Sequence, residues 1–95
     1  MMERPDLFVI GRILEALAPA PLLRTQLQQR AGLNYTVFQR YLEFLVRLGL
    51  VSDGAFDGAH LAITPKGIEA YRFLSEGLQR VFGLTTQKVG PSDSS

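Results

Sequence analysis

Apolar residues recur at helical spacing in three stretches of the chain, and cap signals mark a fourth, shorter helix. From Leu7 to Leu17, turning ~100° per residue gathers Leu7, Val9, Ile10, Ile13, Leu14 and Leu17 on one side, with Arg12 and Glu15 opposite. Asp6 stands where an N-cap belongs, because its carboxylate can accept from the unsatisfied amides of the first turn. The tract Ala18-Pro19-Ala20-Pro21 ends this helix, since proline lacks an amide donor and restricts the residue before it. A short second helix ends at Ala31, with Gly32 suited to the left-handed cap. Two starts fit it. One is Leu22, with Pro21 in the first turn, and the other is Thr25, with Gln28 completing a capping box.

The third helix is the clearest. Asn34 caps it, and Tyr35 to Leu48 follow without a breaker, with a wide apolar face of Val37, Phe38, Tyr41, Leu42, Phe44, Leu45 and Leu48. Thr36, Gln39, Arg40, Glu43 and Arg47 share the opposite arc. Gly49 ends the helix. Leu50-Val51-Ser52 then reads as a short strand, Asp53-Gly54 and Asp57-Gly58 as turns, and Leu61-Ala62-Ile63 as a second strand. Thr64-Pro65 is a helix start, a hydroxyl cap followed by proline at the first helical position. This last helix is expected to run to about Phe82, with Ile68, Tyr71, Leu74, Leu78, Val81 and Phe82 as its stripe. Residues 85–95 are polar and small, and are expected to form a disordered tail behind a single domain over residues 1–84.

Helix, helix, helix, strand, strand, helix is therefore the predicted order. An isolated hairpin is not stable in water, so the two strands must lie against the helices. Helices two and three, joined by Ala31-Gly32-Leu33-Asn34, have the length and tight glycine turn of a helix-turn-helix. With a two-stranded wing directly after it and a C-terminal helix, the fold class is α+β, mainly α, a winged helix-turn-helix.

The segments Ala31-Gly32-Leu33-Asn34, Tyr41-Leu42 with Leu45, Leu48-Gly49-Leu50-Val51 and Leu61-Ala62-Ile63-Thr64-Pro65-Lys66-Gly67 together resemble a family of small archaeal winged-helix DNA-binding proteins. That resemblance implies a homodimer, often joined through the last helix, and a third helix that enters the major groove. It also implies a role in chromatin or transcription.

Composition narrows the choice of function. With 46% hydrophobic and 20% charged residues the chain is an ordinary globular one. No cysteine is present, which removes disulfides, thiolate metal sites and cysteine nucleophiles. No apolar run approaches the ~20 residues of a membrane span, and the first residues lack the order of a secretion signal, so a cytoplasmic domain is expected. There is no glycine-rich phosphate loop, nucleophile elbow or carboxylate pair, and an enzyme is not expected. His60, the lone histidine, has too few partners for a zinc site and reads as a strand residue. Neither a metal nor a cofactor is expected.

Net charge is only +1, so attraction to a polyanion must come from local clustering. Between Leu22 and Leu48 four arginines oppose Glu43 alone, a net +3. The candidate DNA-binding residues are Tyr35, Thr36, Gln39 and Arg40 at the start of helix three, where a recognition helix meets base edges, with Arg24, Arg30 and Arg47 toward phosphates. Gln can read adenine and Arg guanine, each through paired hydrogen bonds. The wing argues the other way. Asp53 and Asp57 give it −2 with no Lys or Arg from Ser52 to Ile63. This favours the alternative of a protein-interaction winged helix that does not bind DNA.

Two phenylalanines fall outside the apolar stripes, Phe8 beside Arg12 and Glu15, and Phe73 among Lys66, Gly77 and Arg80. They suggest shared burial in a homodimer through Phe8, Phe73, Leu74, Gly77, Leu78 and Val81, with Gly77 allowing backbones to approach. The alternative for Phe8 is packing within its own chain against the last helix.

Overall fold

The computed structural model describes residues 5–54 and 57–89. Its elements are α1 (Leu7–Leu17), β1 (Leu22–Leu23), α2 (Arg24–Ala31), α3 (Tyr35–Arg47), β2 (Val51–Asp53), β3 (His60–Ile63) and α4 (Pro65–Val89). The three strands form an antiparallel sheet in the order β1-β3-β2, and the fold is the winged helix-turn-helix expected from the hydrophobic pattern.

Local chemistry starts and stops the helices. The Phe8 amide donates to Asp6 Oδ1 at 2.9 Å, and the Asp6 amide donates to the Tyr41 hydroxyl at 2.9 Å, so the cap of α1 is also pinned to α3. Asn34 caps α3 in the same way, accepting from the Val37 amide at 2.9 Å. Gly32 closes α2 in the left-handed region at φ 68°, its amide shared between the Gln28 and Gln29 carbonyls. Only a residue without Cβ adopts that conformation at no steric cost.

The core fills the space enclosed by α1, α2, α3 and the sheet. Ile13, Leu14, Leu17, Leu27, Phe38, Leu42, Leu45, Val51 and Leu61 are the largest fully buried side chains. Of the predicted stripes, α1 buries Ile10, Ile13, Leu14 and Leu17 and α3 buries Phe38, Tyr41, Leu42 and Leu45, whereas Leu7, Leu48 and Ile68 are exposed. Ala70, Tyr71 and Leu74 bring α4 against this cluster, and the side chains of Leu78, Val81 and Phe82 lie outside the described residues. No buried polar or charged side chain occurs among the described residues, so the interior is held by apolar burial and close packing.

Three readings are corrected. Leu22 does not begin α2. Leu22 and Leu23 form β1, pairing with Leu61 and His60, so the wing hairpin gains a third strand. Two residues are too few to show a period of two, and only the partner strand makes them a strand. The capping box at Thr25 and Gln28 does not form. Instead α2 starts at Arg24, and Gln26 Oε1 accepts from the Leu23 amide at 2.9 Å. Finally, α4 continues past Phe82 to Val89. Gly83 costs a helix interior only about 1 kcal/mol, and the next breaker is Pro91. Residues 90–95, the rest of the expected tail, lie outside the described residues.

Candidate nucleic-acid interface

The apolar face of α3 is spent on the core through Phe38, Tyr41, Leu42 and Leu45, which leaves the other face to solvent. Tyr35 is 65% exposed. Thr36, Arg40, Glu43 and Arg47 are exposed and Gln39 is half-buried. The structure thus brings Tyr35, Thr36, Gln39, Arg40 and Arg47 together on one helix, and Glu43 falls between the two arginines. Arg40 and Arg47 are in no ion pair among the described residues. Arg47 also occupies the last turn of α3, and Arg30 the last turn of α2, where a cation complements the negative end of the helix dipole.

Arg24 is placed differently. As the first residue of α2 it donates from Nη2 to Asp53 Oδ2 at the end of β2. The wing's second acid is engaged as well. Asp57 Oδ1 accepts from the amides of Ala59 at 2.9 Å and His60 at 3.0 Å, and Oδ2 meets His60 Nδ1 at 2.6 Å. The backbone donors, that of His60 foremost, lower the Asp57 pKa from 3.8 to about 2, with a further contribution from the His60 side chain. Both wing carboxylates are therefore held by partners of their own. Each sits where the chain turns, at left-handed glycines Gly54 and Gly58.

One cation escaped the reading of the sequence. Arg12 lies on the solvent side of the α1 wheel, where nothing marks it as functional. In the fold a Cβ added at Gly32 would lie 3.7 Å from Arg12 Nη1, so this guanidinium rests against the turn that leads into α3. No pattern within α1 reports that proximity, which depends on how α1 packs on α2.

The aromatic residues expected at a dimer contact separate into two groups. Phe73 is 79% exposed and lines an apolar groove of about 400 Å³ with Leu74, Leu7, Phe44 and Leu48 among its walls. Phe8 does not line that groove, and at 56% exposed it is not buried against α4 of its own chain. Gly77 is open, with nothing within 4 Å of an added Cβ. The side chains of Leu78 and Val81 lie outside the described residues. No cluster of three or more potential metal ligands occurs among the described residues. None of their helices is long and apolar enough to cross a membrane.

Comparison with known proteins agrees with this architecture. Residues 3–81 match the model of a family described as winged helix-turn-helix. The chain is also similar to Sso10a-2, a DNA-binding protein from Sulfolobus solfataricus, at 27% sequence identity over 90% of each chain and with a TM-score of 0.73. No curated protein matches. A helix-turn-helix with its wing, matched over more than three quarters of its length, shows that the chain belongs to the winged helix-turn-helix family.

Proposed function

We propose that this chain binds duplex DNA by laying α3 in the major groove, and that it acts as a small cytoplasmic transcriptional regulator or chromatin protein. The observation that carries the reading is the exposed start of α3. Tyr35, Thr36 and Arg40 stand in water on a helix whose opposite face is locked into the core. A rigid helix that presents hydrogen-bonding side chains and exposed arginines suits base edges, with Arg47, Arg30 and Arg24 around it for phosphates. The likeness to a DNA-binding protein with the same fold supports the same conclusion.

In this reading the protein works as a homodimer joined through α4 with help from α1. Phe73 and the open Gly77 lie on its surface beside the half-buried Leu74, and burying a phenylalanine contributes ~1.5–3 kcal/mol. Two copies would present two recognition helices to half-sites about one DNA turn apart.

Titration of a labelled duplex over a salt series tests the proposal. The expected result is a log K that falls linearly with log salt, at about 0.9 per phosphate contact. The rival reading, a protein-docking winged helix, is favoured by the apolar groove beside Phe73. It predicts no salt-dependent association with duplex, and that result would overturn the DNA proposal.

A further inference from the structure

Arg24 opens α2 and Asp53 closes β2, 29 residues apart in sequence, yet guanidinium and carboxylate meet. The register of the sheet explains the meeting. Leu22 of β1 and Asp53 of β2 both stand opposite Leu61, so β1 and β2 flank the same residue of β3. Arg24, one residue past β1, is thereby brought within side-chain reach of the root of the wing. Both partners are in solvent, with side chains 45% and 39% exposed. Pairs of this kind are held weakly, because water and salt compete for both charges. A phosphate oxygen pair offers a guanidinium a stronger, two-pronged partner. The carboxylate and a phosphate thus compete for one cation.

We propose that Asp53 sets the affinity of this domain for DNA by holding Arg24 in the free protein, and that Arg24 exchanges this carboxylate for a backbone phosphate on the duplex. The inference rests on the DNA-binding reading above. It assigns a use to the acidic wing, which otherwise only opposes a polyanion. Asp53 raises the salt and ligand concentration at which Arg24 becomes available, so non-specific contacts are discouraged. Asp57 has no such part, because its carboxylate is tied to the wing's own amides and to His60.

The test is a set of duplex titrations across a salt series with wild type, Asp53→Asn, Arg24→Ala and the double variant, each first shown to be folded by its melting curve. Asp53→Asn is expected to tighten binding about two- to fivefold, the fold-change that opening an exposed pair costs. Arg24→Ala should weaken binding and flatten the salt slope by about 0.9. In the Arg24→Ala background, the gain from Asp53→Asn should largely vanish. If it persists undiminished, Asp53 acts only as bulk charge and the exchange is overturned. If Asp53→Asn weakens binding, the pair is a brace for the wing and the exchange is likewise overturned. Absence of any salt-dependent binding by wild type would overturn the DNA reading itself, and this proposal with it.

Discussion

Gly67 faces the Leu50 carbonyl so closely that a Cβ on it would lie 2.1 Å from that oxygen. The approach is enforced from both sides. Thr64 Oγ1 donates to the Gly49 carbonyl at 2.6 Å, the Thr64 amide donates to the Leu50 carbonyl at 3.1 Å, and Lys66 Nζ donates to the Leu48 carbonyl at 2.9 Å. Threonine, lysine and glycine at this spacing therefore clamp the first turn of α4 over the exit of α3. The lysine satisfies a carbonyl at the end of α3, and its charge suits the negative end of that dipole.

Gly67→Ala should thus destabilise the domain although alanine favours helix. The expected loss is about 1–3 kcal/mol from overpacking, and each kcal/mol lowers the melting temperature of a domain this size by roughly 4–8 °C. Gly11, in the middle of α1 with nothing within 4 Å of an added Cβ, is the control. Gly11→Ala should stabilise by about 0.5–1 kcal/mol. Thermal melts of the two variants in opposite directions would bear out the close approach, and an unchanged Gly67→Ala melt would refute it.

The wing should respond to acid through Asp57. Its carboxyl is held at about 2 by the amides of His60 and Ala59 and by the His60 side chain, against 3.8 for the free group. A carboxyl whose folded pKa is depressed stabilises the folded wing fully above the unfolded value, and that contribution drains away as pH falls through 3.8 toward 2. Carboxyl carbon shifts followed by NMR should show Asp57 titrating near 2. A midpoint near 3.8 would mean the turn is not bonded as described, and Asp57→Asn should remove the step altogether.

On α3, the two exposed arginines should differ in kind. Arg40→Ala, toward the start of the helix, is expected to cost about 1–3 kcal/mol on a cognate duplex and to relax preference at one base pair. Arg47→Ala, farther along, should weaken all sequences alike and flatten the salt slope by about 0.9. Arg12→Ala should behave like Arg47→Ala, since its guanidinium lies at the turn into α3. Binding of random and selected duplexes at several salt concentrations separates these outcomes. Identical behaviour of all three variants and wild type would remove α3 from the interface.

Phe73→Ala is the direct probe of the proposed homodimer. At 79% exposure the side chain contributes little to the monomer, so melting at low protein concentration should shift by no more than about 0.5 kcal/mol. Sedimentation at micromolar concentration should show a dimer for wild type and a dimer weakened by ~1.5–3 kcal/mol for Phe73→Ala. Gly77→Ala should favour the α4 helix by about 1 kcal/mol yet weaken a dimer in which backbones meet at Gly77. A wild-type monomer at that concentration would dispose of the dimer.

What the linear order of residues determined is local. Asp6, Gly32, Asn34, Gly49 and Thr64-Pro65 mark where helices begin and end, because caps and left-handed turns are satisfied within a few residues of themselves. The middles of the α1 and α3 stripes foretold the buried set for the same reason, since helical period alone sorts side chains to one face, while Leu7 and Leu48 at the stripe ends are exposed. The winged helix-turn-helix followed from that order of elements.

Only the tertiary structure decided the features that join distant segments. Leu22 and Leu23 became a strand because β3 was there to pair with them. Arg24 appeared to be one free cation among four, and the sheet register placed Asp53 beside it. Arg12 faces solvent as its place on α1 foretold, but only packing set its guanidinium at the turn before α3. In each case the partner lies many residues away, and its distance is set by core packing that no local pattern encodes.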